Sequence, residues 1–257
     1  MLPASHTKHS KALLCPFGSA VFRLTQSDDG VSNGTALWLG AQCLSAYLAH
    51  SPGVVKPGMR ALELGAGIGL SSLCLSNLGC NIIASDLPWV ISTCLAKNIE
   101  SNISQLRPGA GEILVRELDW TVPPHQWLFD HPTIIASTTC SQTPAVEQQL
   151  PHPFDIIISA DTIYDMALVT PFLRTLHALC TQSVAALSSS RVPVVFICLE
   201  RRDPAVIDRT LQEASVWGFT ATRVAPRKVS KALVKSGIKW DKEDWDDVEI
   251  WKLSFQG

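Results

Sequence analysis

The stretch Glu63-Leu64-Gly65-Ala66-Gly67-Ile68-Gly69-Leu70 decides the fold of this chain. It predicts a buried strand that ends at a tight glycine turn and continues into a helix. Glycines at such a turn let the backbone pass close to a ligand where a Cβ atom would clash. A second predicted strand, 81–86, ends at Asp86, whose carboxylate is placed to accept hydrogen bonds from ribose hydroxyls. The pattern indicates a βαβ unit that holds a cofactor containing adenosine.

The glycine spacing bears on which cofactor this is. The dinucleotide fingerprint is GxGxxG, whereas the third glycine of this loop falls at Gly69. A pyrophosphate favours a helix N-terminus aimed at it, and S-adenosylmethionine has no phosphate. An acid just before the loop, Glu63, suits a cationic sulfonium better than a pyrophosphate. The loop therefore favours S-adenosylmethionine over NAD, while a glycine turn needed only for packing stays an open alternative.

Composition excludes several classes of protein. The 257 residues are 46% hydrophobic with a mean hydropathy of +0.18, which predicts a single domain over 1–257. A net charge of −2 argues against a nucleic-acid partner. No apolar run approaches the roughly 18 residues of a membrane span, so no membrane partner is expected. The eight cysteines form no CxxC pair, which is typical of reduced thiols inside a cell. The histidines in 121–153 form no convincing set of metal ligands.

Strand and helix patterns alternate along the chain. This alternation predicts an α/β, Rossmann-like fold with a mostly parallel sheet and helices on both faces. Residues 1–30 are expected to form a short N-terminal β extension. Residues 121–153 and 226–247 are interpreted as inserted loops. The last strand, 248–255, is expected to be antiparallel because no helix is predicted between it and the strand at 219–224.

Several motifs in a fixed order carry a resemblance to a known family. They are Gly34-Thr35-Ala36-Leu37-Trp38, the glycine loop, Asp86, Leu118-Asp119-Trp120, Ser159-Ala160-Asp161-Thr162-Ile163-Tyr164, Glu200-Arg201-Arg202 and Glu249-Ile250-Trp251-Lys252-Leu253. Together, over about residues 30–255, they resemble the seven-strand methyltransferases, and specifically the family-16 protein-lysine methyltransferases. The resemblance implies a seven-strand sheet, S-adenosyl-L-methionine as cofactor and a protein substrate.

The resemblance also implies particular cofactor contacts. Carried over by position, the residues that contact S-adenosylmethionine are Trp38, Gly65, Ala66, Gly67, Asp86, Trp120 and Ala160. Glu63, before the loop, and Leu87, after the ribose acid, complete the predicted cofactor site. For Trp38, which lies on an apolar helix, packing in the core is the alternative.

Two residues after the strand at 154–159 are the catalytic candidates. Asp161 is expected at the carboxyl edge of the sheet, where open α/β sheets place their ligands. Its carboxylate could accept a hydrogen bond from a substrate amine and orient the lone pair. Tyr164, three residues on, could line the substrate channel. The alternatives are that Asp161 caps the following helix and that Tyr164 only packs.

The leading hypothesis is a protein-lysine N-methyltransferase that acts as a monomer in the cytoplasm or the nucleus. A methyltransferase for a small molecule or another nucleophile, and a non-catalytic binding module, remain alternatives. An NAD-dependent oxidoreductase is disfavoured by the glycine spacing and by the lack of a Tyr-x-x-x-Lys pair. The acidic stretch 241–247 either attracts a basic protein substrate or is a solvated face.

Overall fold

A computed structural model describes residues 4–7, 9–27, 33–140, 142, 148, 150, 152–186 and 192–257. The strands are β1 Ala12–Phe17, β2 Ala20–Thr25, β3 Arg60–Leu64, β4 Asn81–Asp86, β5 Ile113–Leu118, β6 Ile134–Ala136, β7 Ile156–Ala160, β8 Val194–Glu200, β9 Phe219–Arg223 and β10 Val248–Phe255. The helices are α1 Ala4–Thr7, α2 Leu39–His50, α3 Leu70–Asn77, α4 Pro88–Val90, α5 Ala96–Asn102, α6 Met166–Ala185, α7 Pro204–Val216 and α8 Pro226–Lys235. A π-helical stretch, Ile91–Leu95, joins α4 to α5.

The sheet has the order β6-β5-β4-β3-β7-β8-β10-β9. All neighbouring pairs from β6 to β8 are parallel, and β10 is antiparallel to both β8 and β9. The separate hairpin of β1 and β2 is the expected N-terminal β extension. These features confirm the predicted Rossmann-like fold with an antiparallel last strand. The described sheet has eight strands, one more than the seven expected, because β6 extends its edge.

Helices cover both faces of the sheet, as predicted. Side chains alternate between the two faces of a strand. Leu62 and Leu64 of β3 therefore pack in the layer that contains Phe172 of α6, whereas Ala61 packs in the opposite layer with Leu44 of α2. Within the described ranges, no helix is long and apolar enough to cross a membrane.

The insertion at 121–153 is more ordered than the loop that was predicted. Its described part contains β6, and Trp127 within it is fully buried. The guanidinium of Arg116, itself buried, donates to the carbonyls of Leu128 (2.9 Å), Phe129 (3.0 Å) and Ile134 (2.7 Å). One buried cation thus fixes the path of the segment. Positions 141, 143–147, 149 and 151 of the predicted loop lie outside the described residues.

The prediction of a loop at 226–247 is wrong over its first ten residues, which form α8. Pro226 lies in the first turn of this helix, where the missing N–H costs nothing. Val229, Ala232 and Leu233 follow the three- and four-residue spacing of a helix face and pack against α2. A helix therefore does precede β10, and the antiparallel direction of β10 was predicted correctly for a wrong reason.

Candidate functional site

A cavity of about 270 Å³ opens at the carboxyl edge of β3, β4, β5 and β7. Parallel strands bring their carboxyl ends together, so residues that directly follow different strands meet at this edge. Every predicted site residue lines the cavity: Trp38, Glu63, Gly65, Ala66, Gly67, Asp86, Leu87, Trp120, Ala160, Asp161 and Tyr164. The sequence motifs thus converge on one place in the fold.

The glycine loop lies tightly between its neighbours. Gly65 has a φ of 71°, and a Cβ atom there would clash with the Thr162 side chain and lie 3.6 Å from Trp120. The N–H of Ala66 donates to the carbonyl of Ser85 at 2.9 Å, which ties the loop to the end of β4. A side chain at position 65 would therefore push the loop out of the cavity wall.

Asp86 is held by the loop that it faces. Its Oδ2 accepts the N–H of Gly67 at 2.7 Å, and its Oδ1 accepts the N–H of Leu87 at 2.8 Å. Burial raises the pKa of Asp86 from 3.8 to about 6, so the carboxylate is mostly ionised at neutral pH. Each carboxylate oxygen has a second lone pair and can accept one further hydrogen bond.

Glu63 lies deeper than Asp86 and differs in its charge. It is fully buried beside α3, where the hydroxyl of Ser72 donates to its Oε2. Burial raises the pKa of Glu63 from 4.5 to about 8, so the side chain mostly holds its proton at neutral pH. The anionic role expected for Glu63 therefore requires a cation close enough to draw that proton away.

Asp161 joins two distant parts of the fold. Its Oδ2 accepts the N–H of Gly40 at 2.6 Å, and its Oδ1 accepts the N–H of Glu200 at 2.9 Å. Its φ of 54° is unusual for a residue other than glycine, and such backbone strain clusters at functional sites. Burial raises the pKa of Asp161 to about 6. The helix-cap alternative is wrong, because Asp165 caps α6 by accepting the N–H of Ala167 at 2.8 Å.

The contact with Gly40 was missing from the sequence-based prediction. Gly40 lies in the first turn of α2, so the carboxylate of Asp161 caps this helix from another segment. A Cβ atom on Gly40 would lie 2.6 Å from Oδ2 and 2.8 Å from Oδ1 of Asp161. The two residues are 121 positions apart, and no local pattern connects them.

Aromatic side chains form much of the remaining wall. Trp38 is half-buried, with the guanidinium of Arg202 4.3 Å from the centre of its ring, so it does not simply pack in the core. Trp120 packs edge-on against Phe172 at 5.2 Å. Tyr164 is 55% exposed, which argues against a purely packing role. Trp89, which the prediction missed, is 41% exposed and lines the same cavity two residues after Leu87.

The two arginines after β8 take different partners. Arg202 pairs with Glu200, next to Asp161, while Arg201 pairs with Glu249 at 3.1 Å and with Asp208 at 3.0 Å. Only the first of these contacts reaches the wall of the site, through Trp38. The neighbouring positive charge of Arg202 acts on the pKa of Asp161 in the opposite direction to burial, which is the larger effect.

Comparison with known proteins identifies the family to which this chain is similar. A family model described as lysine methyltransferase matches residues 19–205, which include every predicted site residue. Methyltransferase-like protein 22 of Homo sapiens is 32% identical over 117 residues, or 40% of this chain and 29% of that protein.

Two further relatives are matched over more of their length. Protein N-lysine methyltransferase METTL21A of Mus musculus is 27% identical over 72% of both chains, and EEF1A lysine methyltransferase 3 of Xenopus tropicalis is 25% identical over 73% of this chain and 70% of that protein. The chain thus spans less than a third of one relative and about 70% of the other two. Because the family model covers well over half of its residues, this chain belongs to the lysine methyltransferase family.

Proposed function

We propose that this chain transfers a methyl group from S-adenosylmethionine to the amine of a lysine side chain in a protein substrate. The observation that carries the proposal is the convergence of every predicted site residue on one cavity, inside the region matched by the lysine methyltransferase family. The protein substrate is supported by relatives named as protein-lysine methyltransferases.

The groups around the cavity fit S-adenosylmethionine. Asp86 offers carboxylate oxygens to ribose hydroxyls, and Leu87 and Trp120 offer apolar surface to an adenine ring. Glu63 offers a buried carboxyl group that ionises when a cation lies near it. S-adenosylmethionine, when bound, supplies a methyl group on a positively charged sulfur. The residues of the chain bind and orient; they form no covalent bond in this scheme.

The lysine amine must release its proton to water before its nitrogen can form a bond to the methyl carbon. A lysine amine with a pKa of about 10.4 is neutral only about 0.04% of the time at pH 7. Leaving water for a cavity with apolar walls favours the neutral form. Each oxygen of Asp161 has a lone pair beyond the one that accepts a backbone N–H, so the carboxylate can accept from an amine N–H. That hydrogen bond points the nitrogen lone pair at the methyl carbon, and such alignment of the reacting atoms lowers the barrier.

The exposed aromatic residues define where the lysine enters. Tyr164 and Trp89 both line the cavity and both reach solvent. Their rings suit the aliphatic stem of a lysine, which buries readily against apolar surface while its nitrogen continues to the polar groups beyond. We place the substrate entrance between these two side chains.

The environment of the thiols bears on location. Seven of the cysteines are buried as free thiols, and Cys140 is partly buried. Free thiols persist in reducing compartments. This pattern supports a protein that works in the cytoplasm or the nucleus, and we propose that it does so as a monomer.

The test is transfer of labelled methyl groups from S-adenosylmethionine into proteins of a cell extract. The chain is compared with Asp161→Asn, and with Glu112→Gln as a matched loss of one carboxylate. Glu112 is exposed and precedes β5, at the opposite edge of the sheet from the cavity. We expect discrete labelled protein bands with the parent and with Glu112→Gln, and their loss with Asp161→Asn.

Mass spectrometry of the labelled band then identifies the methylated residue. Methylation of a side chain other than lysine would contradict the proposed substrate. Label that appears only in small molecules would favour the alternative methyltransferase class. Binding of S-adenosylmethionine without any transfer, in several extracts, would favour the non-catalytic binding module.

A further inference from the structure

A second cavity of about 610 Å³ lies away from the carboxyl edge of the sheet. It is enclosed by the turn of the β1–β2 hairpin, the C-terminal part of α2, the length of α3 and the end of α8. Buried apolar side chains form its floor, among them Ala46, Leu70 and Cys74. Its volume falls in the range of roughly 300–1,000 Å³ that is usual for small-molecule sites.

The charges around this cavity have a single sign. His50, Arg107 and Lys235 line it, and no aspartate or glutamate is among the described residues that do so. Burial and the nearby charge of Lys235 both lower the pKa of His50, so its imidazole is mostly neutral at pH 7 and the cations of the wall are Arg107 and Lys235. The chain as a whole has a net charge of −2, so this wall differs in sign from the average of the molecule. A cavity lined by one sign of charge concentrates ions of the opposite sign.

Polar groups that suit an anion lie beside these cations. The hydroxyls of Ser19 and Ser236 line the cavity, at the hairpin turn and at the C-terminal cap of α8. The Ser45 hydroxyl at the floor is buried next to the Cys74 thiol, which is a weak hydrogen-bond partner. The lining therefore combines hydrogen-bond donors and positive charge with an apolar floor.

We propose that this second cavity binds a small organic anion with an apolar body, its carboxylate, phosphate or sulfonate group lying against Lys235 and Arg107. The apolar body covers the floor formed by α2 and α3. A bare inorganic anion would leave that floor in contact with water, and an uncharged apolar molecule would leave the two positive charges without a counter-ion. This site is separate from the transfer of the methyl group. Leu70, the first residue of α3, lines both cavities and is the point of contact between them.

The test uses two fluorescent probes that differ by one charged group. Anilinonaphthalene sulfonate carries an anion on an aromatic body, and N-phenylnaphthylamine is the same body without the sulfonate. Both are titrated into the full chain in the presence of saturating S-adenosylhomocysteine, so that the cavity at the carboxyl edge is filled. We expect saturable binding of the sulfonate and much weaker binding of the neutral probe.

Variants locate the binding. Lys235→Glu replaces an attraction with a repulsion at the mouth of the cavity and should weaken sulfonate binding about tenfold, whereas Ser236→Glu only adds a repulsion there and should weaken it less. Arg227→Glu makes the same charge change as Lys235→Glu in the first turn of α8, about 12 Å away along the helix axis, and should leave binding unchanged. Affinity for S-adenosylhomocysteine and the circular dichroism spectrum confirm that each variant is folded. Equal binding of the two probes, no binding of the sulfonate, or equal weakening by Arg227→Glu would overturn the proposal.

Discussion

Replacing Gly40 with alanine should lower the free energy of unfolding, although alanine is the better helix former. Gly40 lies in α2, where propensity alone predicts a gain of up to about 1 kcal/mol. The new Cβ would lie 2.6 Å from Oδ2 of Asp161, so the carboxylate must move. Its hydrogen bond to the Gly40 N–H is then lost, at about 1.5–3 kcal/mol for a charged acceptor. With the full gain in propensity, the net result is a loss of about 0.5–2 kcal/mol.

Thermal unfolding measures this loss. For a chain of this size, about 0.5–2 kcal/mol corresponds to a fall in melting temperature of roughly 1–8 °C. Methyl transfer into extract proteins should fall as well, because the displaced carboxylate no longer faces the substrate amine. The control is Gly53→Ala, in the turn after α2, where φ is 77° and, its two chain neighbours aside, no atom of the described residues lies within 4 Å of the added Cβ, so only the stability should change. A Gly40→Ala protein that melts at or above the parent temperature and retains full activity would refute the capping role of Asp161.

Three further predictions follow from burial. Because the pKa of Asp161 is about 6, methyl transfer with saturating S-adenosylmethionine should decline as pH falls through 6, in the parent and equally in Glu112→Gln. Because burial raises the pKa of Glu63 from 4.5 to about 8, the free energy of unfolding should fall as pH rises across that window. Glu63→Gln has no such proton to lose, so in urea unfolding its stability relative to the parent should increase between pH 5 and pH 9. Arg116→Ala removes the side-chain donor from the carbonyls of Leu128, Phe129 and Ile134 and should cost about 3 kcal/mol in the same assay, against no more than about 0.5 kcal/mol for exposed Lys97→Ala.

The parts of the fold that were predictable are those encoded by short stretches of sequence. The glycine loop at 65–69 and the acid at Asp86 lie within one βαβ unit, so their proximity follows from adjacent elements. The convergence of Asp161 on the same edge follows from parallel strands, whose carboxyl ends coincide. Resemblance to a family then supplied Trp38 and Trp120, which periodicity alone left ambiguous between core and cavity.

The parts that were missed depend on distant contacts or on weak local signals. The basic residues of α8 obscured the helical spacing of Val229, Ala232 and Leu233. Strand β6 has three residues, too few for a visible alternation. The contact of Gly40 with Asp161 joins positions that only the complete fold brings together, and the exposure of Trp89 is likewise a property of the assembled surface.

The position of β10 inside the sheet also determines when the site can form during synthesis. Val248 of β10 pairs with Glu200, whose N–H donates to Asp161. On a ribosome, the glycine loop and Asp161 emerge long before β10, and pairings between residues so far apart in sequence form slowly. A nascent chain therefore presents the loop first, and the strand that carries Glu200 gains its antiparallel neighbour only after β10 has emerged.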